Sequence, residues 1–109
     1  MKTYVFDIDG TICHSKDGDY VNSEPILHRI VTVNNLYDEG NTIIFHTARG
    51  MGRYKNAQAM AHAVFYELTV KQLDKWGVKY HSLFMGKPSG DLYIDDKGVK
   101  DEDFFNSRN

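Results

Sequence analysis

Apolar residues in this chain fall into short continuous runs that alternate with longer segments of helical spacing. Thr3 to Phe6 (Thr, Tyr, Val, Phe) is β-branched and aromatic with no polar face, and it stops abruptly at Asp7-Ile8-Asp9-Gly10. That is the profile of a buried central strand. The stretch from Cys13 to Asn22 is polar with Gly18 in its middle and reads as a loop or short flap. Ser23, Glu24 and Pro25 resemble a helix start, and Ile26, Ile30, Val33 and Tyr37 keep helical spacing as far as Gly40, which predicts a helix over 24–38. Asn41 to His46 holds a second apolar run, Thr42-Ile43-Ile44-Phe45, which also ends in polar residues: His46, Thr47, Ala48 and Arg49. After a glycine-containing loop over 50–55, residues 57–76 are mostly good helix formers, with a break or restart expected near Thr69 and a stop at Gly77. Two more strands are predicted, over 78–84 and 91–94, the latter being Leu92-Tyr93-Ile94 followed at once by Asp95-Asp96. The order β-α-β-α-β-β with a ragged C-terminal tail implies right-handed crossovers and a mostly parallel sheet covered on both faces, a three-layer, Rossmann-like α/β domain.

Composition narrows this further. The chain of 109 residues has room for one core and for no second domain, so an active site has to lie at the edge of the sheet or between subunits. Thirteen Lys and Arg against fifteen Asp and Glu give a net charge of −2, and the signs alternate, so a nucleic-acid footprint is absent. The lone Cys13 excludes an internal disulfide framework, and no apolar run approaches the roughly 20 residues of a membrane span. Met1 leads straight into Lys2 and the first strand with no signal-peptide organisation, and a cytoplasmic location is expected.

In a parallel α/β sheet the residues just past each strand's C-terminus gather on one rim, where such folds bind ligands. Here they are Asp7 and Asp9, then Thr47 and Arg49, then Lys87, then Asp95 and Asp96. Four carboxylates on one rim repel unless a proton or a cation intervenes, and hard oxygen donors with no Cys or His cluster favour magnesium. That chemistry suits phosphoryl transfer: a cation and a Lys screen the phosphate while one carboxylate attacks phosphorus and another, two residues along, handles the proton. Gly10 lets the backbone turn closely, and the Thr11 and Thr47 hydroxyls, with exposed loop amides, are suited to phosphate oxygens.

Asp7-Ile8-Asp9-Gly10-Thr11, then Thr47, Lys87 and Asp95-Asp96, in this order, resemble the four motifs of the haloacid dehalogenase superfamily of phosphatases and phosphotransferases, over residues 4–97. Chance gives Asp-x-Asp-Gly-Thr in roughly one chain in a thousand of this size, so its placement after an apolar strand with three further motifs in order is no accident. The resemblance implies that Asp7 is the nucleophile of an aspartyl-phosphate pathway, Asp9 the general acid/base, Thr47 a phosphate ligand and Lys87 the lysine that steadies nucleophile and phosphate. It implies Mg²⁺ held by the Asp7 carboxylate, the Asp9 backbone carbonyl and Asp95, with Asp96 acting directly or through water. Gly10, Thr11, Ala48 and Arg49 are the expected substrate-binding positions. More narrowly, Thr-Ala-Arg-Gly (47–50), the Lys71–His81 stretch, Gly-Lys-Pro (86–88) and Tyr-Ile-Asp-Asp-Lys (93–97) resemble small capless members associated with capsule and surface-polysaccharide sugar metabolism. No inserted segment is long enough for a cap, so only the 12–22 flap, the 50–56 loop or a neighbouring subunit remains to cover the site, and a homo-oligomer would fit.

Other roles for these residues fit less well or stay open. A calcium loop starting at Asp7 fails, since Ile12 falls where the sharp-turn Gly belongs and Gly18 where the bidentate Glu belongs. Lys97 competes with Lys87, and motif order favours Lys87. Arg49 either grips a substrate anion or pairs with a carboxylate. The five histidines show no metal spacing, and Cys13 reads as a small buried residue. The expected activity is a magnesium-dependent phosphatase for a small phosphorylated metabolite, with a sugar phosphate favoured; the alternatives are a nucleotide or polynucleotide end phosphatase and a phosphoryl-accepting regulatory domain.

Overall fold

A computed structural model describes residues 1–107. Strand β1 (Thr3–Phe6) is followed by a hairpin, β2 (Cys13–Lys16) and β3 (Asp19–Pro25), then by helix α1 (Leu27–Asp38), strand β4 (Thr42–Thr47), helix α2 (Gln58–Lys75), strand β5 (Ser82–Met85) and helix α3 (Asp101–Asn106). β1, β4 and β5 form a parallel sheet in that spatial order, with Phe6 opposite Phe45 and Thr47 opposite Met85. This register brings the C-terminal ends of the three strands out at one edge, so Asp7, Thr47 and Lys87 emerge together.

The apolar runs make the core. Phe6, Ile43 and Phe45 of the sheet meet Ile8, Ile12 and Cys13 beyond β1, Ile30, Val33 and Leu36 on one face of α1, Leu73 of α2, and Val78. α1 lies against β4 and α2 against β5. α2 runs unbroken through Thr69, whose hydroxyl donates to the Phe65 carbonyl at 2.8 Å and so finds its partner within the helix.

Five expectations need correction. The 13–22 flap is an antiparallel hairpin whose turn, Asp17-Gly18, has positive φ at both positions (42° and 80°), the geometry that matches strand twist. Ser23, Glu24 and Pro25 belong to β3 instead of opening α1; the Ser23 hydroxyl donates to the Tyr20 carbonyl at 2.8 Å, and α1 begins at Leu27 with no side-chain cap. The third parallel strand is confined to Ser82–Met85. Residues 91–94 form no strand, and Leu92 and Ile94 are 82% and 95% exposed. The reason is connection length: only residues 86–91 separate the end of β5 from Leu92, whereas a return to a parallel neighbour needs a dozen or more residues. The chain instead runs as an exposed segment to α3. That helix replaces the ragged tail: Asp101, Glu102 and Asp103 occupy its first turn, and Phe104 and Phe105 pack on Phe6 at ring-centroid distances of 5.5 and 6.0 Å. The Arg29 guanidinium donates to Asp101 at 2.7 Å and holds that carboxyl below the ordinary carboxylate range.

Candidate active site

Asp7 is the first residue past β1. Its Oδ1 accepts the Ile8 backbone N–H at 2.8 Å, and its Oδ2 lies 3.7 Å from the Lys87 ammonium. Burial pushes the Asp7 carboxyl above the usual range; the Lys87 charge opposes that, and the neighbouring Asp9 charge adds to it. Lys87 reaches this point because its own N–H donates to the Thr47 carbonyl at 3.1 Å and because Gly86, at φ +90°, turns the chain where a Cβ would stand 2.9 Å from Gln58. The Lys87 ammonium also sits 4.3 Å over the Tyr93 ring, and Tyr93 is tied back by its hydroxyl donating to the Pro88 carbonyl at 2.7 Å. Of the two candidate lysines, Lys87 stands beside Asp7, while the Lys97 N–H donates to Asp95 at 2.9 Å.

Asp9 faces a different partner. Arg49 is buried, with 1% of its surface exposed, and its guanidinium grips Asp9: Nε donates to Oδ2 at 3.0 Å and Nη2 to Oδ1 at 3.0 Å, while the Ser15 hydroxyl also donates to Oδ1. Of the two roles left open for Arg49, the structure shows it paired with a carboxylate. Thr47 is fully buried and its hydroxyl oxygen accepts the Arg49 N–H at 3.1 Å, so it braces the loop after β4. Gly10, at φ +80°, and Thr11 shape the turn into the hairpin, with the Gly10 N–H donating to the Cys13 carbonyl at 2.8 Å and the Thr11 N–H to the Ile8 carbonyl at 3.0 Å. Their amides serve the turn, and neither residue lines the cavity.

That cavity, of about 290 Å³, is lined by Asp7, Asp9, Ser15, Gly18, Tyr20, Ala48, Arg49, Gly52 and Ser89. Of the expected substrate positions, Ala48 and Arg49 therefore reach it. Ser15, Gly18 and Tyr20 come from the hairpin and were not singled out by sequence; the Asp17-Gly18 pair between two runs of possible strand was the signal for them. The Arg53 guanidinium donates to the Gly18 carbonyl at 3.1 Å and lies over the Phe65 ring, so the 50–56 loop holds the hairpin tip over the rim.

Two further titratable groups lie near the rim. Burial pushes the Cys13 thiol up to about 11, so it is an inert thiol, and partial burial with the Lys87 charge keeps His46 below the usual imidazole range.

The Asp7 carboxylate is a hard oxygen donor whose burial calls for a cation, and in chemical type it fits magnesium. The Asp9 carboxylate is occupied by Arg49 and Ser15, which leaves its main-chain carbonyl as the donor. Asp95 and Asp96 are exposed on the 88–100 segment, and among the described residues no three His, Cys, Asp or Glu side chains are gathered closely enough to hold a metal ion. The structure thus brings Asp7, Asp9, Thr47, Arg49 and Lys87 together and leaves Asp95 and Asp96 outside. Among the described residues no helix is long and apolar enough to cross a membrane.

No protein-family model matches the chain, and no curated protein matches it. Among solved structures it is similar to a structural-genomics target from Vibrio cholerae, 30% identical with a TM-score of 0.88, over 96% of this chain and 88% of that one. It is also similar to part of a Pnkp1/Rnl/Hen1 complex (17% identity, TM-score 0.59, 87% of this chain and 31% of that one). A third is the D,D-heptose 1,7-bisphosphate phosphatase of B. bronchiseptica, solved with magnesium and phosphate (19% identity, TM-score 0.55, 91% of this chain and 54% of that one). The last two likenesses are of fold, and with the parallel sheet, the carboxylate-bearing rim and no cap among the described residues they agree with the motif order. The chain belongs to one family with the Vibrio cholerae protein and has the haloacid dehalogenase fold.

Proposed function

We propose that this protein is a magnesium-dependent phosphatase that hydrolyses a small phosphorylated metabolite, a sugar phosphate in the first instance, through an aspartyl-phosphate on Asp7. The observation that carries the reading is the trio on one rim: a half-buried carboxylate, a lysine ammonium 3.7 Å from it and a second carboxylate two residues on. In the first step an Asp7 oxygen attacks phosphorus, the ester P–O bond breaks, and the departing oxygen takes a proton from Asp9 in its acid form. In the second, water attacks the phosphorus of the aspartyl-phosphate and gives its proton to the Asp9 carboxylate, releasing phosphate and restoring Asp7. Lys87 offsets the anionic charge on nucleophile and phosphate in both. Magnesium would be held by Asp7 and the Asp9 main-chain carbonyl and would supply further screening of phosphate charge; Asp95 and Asp96, the other carboxylates that the motif order implies for it, stand outside this rim.

Cavity size and lining favour a small substrate. About 290 Å³ is at the lower end for ligand pockets, and Arg49, the basic residue in the lining, is committed to Asp9. The hydroxyls of Tyr20 and Ser89 match a substrate rich in hydroxyls. The fold likeness to a heptose bisphosphate phosphatase is in keeping with that class. The test is phosphate release from a panel of sugar phosphates, nucleotides and a 3′-phosphorylated oligonucleotide, with Mg²⁺ and with a chelator, beside Asp7→Asn. Turnover of sugar phosphates that needs both Mg²⁺ and Asp7 is expected; preference for the oligonucleotide would overturn the substrate class, and turnover by Asp7→Asn would overturn the nucleophile.

A further inference from the structure

We infer that Arg49 is the positioning residue that aims Asp9 for its proton transfers, and that it takes no part in holding the substrate. The inference rests on the proposed role of Asp9. An arginine has five N–H donors, and all five are spent inside the protein. Nε serves Asp9, at 3.0 Å from Oδ2 and 3.3 Å from Oδ1. Nη1 donates to the Thr69 hydroxyl at 3.2 Å and to the Gln72 side-chain carbonyl, both on α2, and Nη2 donates to Asp9 Oδ1 at 3.0 Å and to the Ser23 hydroxyl at 3.4 Å. A phosphate entering the cavity therefore meets no free donor on this side chain.

The plane of the guanidinium is fixed as firmly as its donors. Tyr20 lies against it at 5.0 Å, Gln72 donates in turn to the Tyr20 carbonyl, and Ser23 exchanges a hydrogen bond with Ser15, which also holds Asp9. α2, the hairpin and the turn after β1 thus converge on one rigid fork, and the fork faces a carboxylate at the cavity wall. A carboxylate gripped on both oxygens by such a fork has one orientation, and a group that moves protons needs that precision more than a group that only packs. Lysine, a point charge on a flexible stem, would satisfy Asp9 without fixing its plane.

The experiment compares wild type, Arg49→Met, Arg49→Lys and Asp9→Asn on a nitrophenyl phosphate and on an alkyl phosphate with Mg²⁺, with circular dichroism and melting curves confirming that each variant is folded at the assay temperature. A nitrophenolate leaves without a proton, so its release isolates the first step from Asp9, while hydrolysis of the aspartyl-phosphate still needs it. Arg49→Met should resemble Asp9→Asn: a burst of nitrophenolate equal to the enzyme present, then turnover slowed about 10²-fold or more, with KM for the nitrophenyl ester falling along with its slowed second step, and with the alkyl ester slowed at least as much and its KM not raised. Arg49→Lys should recover part of kcat. A folded Arg49→Met that keeps the wild-type ratio between the two esters and shows no burst would overturn the inference, as would a loss confined to KM, which would return Arg49 to substrate binding. A wild-type chain with no Asp7-dependent turnover of either ester would overturn the proposed function, and with it this inference.

Discussion

The Arg49–Asp9 pair makes a prediction about stability as well as rate. Arg49→Met keeps the apolar stem and its volume but removes the fork, leaving the Asp9 carboxylate and the buried Gln72 side-chain carbonyl without their donor. Removing one partner of a buried pair costs about 3–5 kcal/mol. The Asp9 side chain keeps 25% of its surface in water and is partly rehydrated, which lowers the expected loss to about 2–4 kcal/mol. In a domain of this size each kcal/mol moves Tm by roughly 4–8 °C, so melting should fall by about 8–32 °C, and a fold of ordinary stability survives that at 25 °C. Urea denaturation of the single variants and of Arg49→Met/Asp9→Asn completes a double-mutant cycle. Either single variant leaves an unpaired partner, whereas the double variant leaves no charge behind, so it should lose at least about 1 kcal/mol less than the sum of the singles. A loss under about 1 kcal/mol for Arg49→Met, or strict additivity in the cycle, would refute the claim that this pair is the buried joint between β1, α2 and the hairpin.

Two further perturbations follow from the geometry. Burial raises the Asp7 carboxyl above its unfolded value of 3.8, so the fold binds this proton more tightly than the unfolded chain does; stability conferred on the protonated form is lost as pH rises through the raised folded value. Without Mg²⁺, Asp7→Asn should therefore be the more stable protein at pH 7, with the gap closing towards pH 3, and equal urea midpoints at both pH values would contradict this. Phe105→Ala removes a fully buried ring that docks α3 on Phe6, and it should cost about 3–5 kcal/mol in urea denaturation; a loss below about 1 kcal/mol would mean that α3 is not part of the cooperative core.

What the sequence revealed and what it concealed have physical causes. Thr3–Phe6 and Thr42–Phe45 are apolar on both faces and end in polar residues, so both strands and the rim beyond them were readable, and with them Asp7, Asp9 and Thr47, while Lys87 was readable from motif order. The hairpin was hidden because, Cys13 apart, Cys13–Lys16 and Asp19–Pro25 are exposed or half-buried and carry no apolar alternation, and Ser23-Glu24-Pro25 offers a helix-start signal that strand pairing with Cys13 and His14 overrides. Leu92-Tyr93-Ile94 has strand composition but lacks the length of connection that a parallel partner needs, a constraint that local propensity does not carry. Arg49 was ambiguous for a similar reason: its partners Thr69 and Gln72 are 20 and 23 residues away, and only the packing of α2 brings them to it.

The central claim is that Asp7 is phosphorylated in turnover, and an acyl phosphate can be caught directly. Wild-type protein is mixed with Mg²⁺ and a sugar phosphate that it hydrolyses, then quenched in borohydride, which reduces an aspartyl-phosphate to homoserine, and the N-terminal peptide is read by mass spectrometry. Homoserine at position 7, dependent on substrate and absent from Asp7→Asn, is the predicted result. Turnover of the substrate with an unmodified residue 7, or with the label at Asp9, would contradict the account.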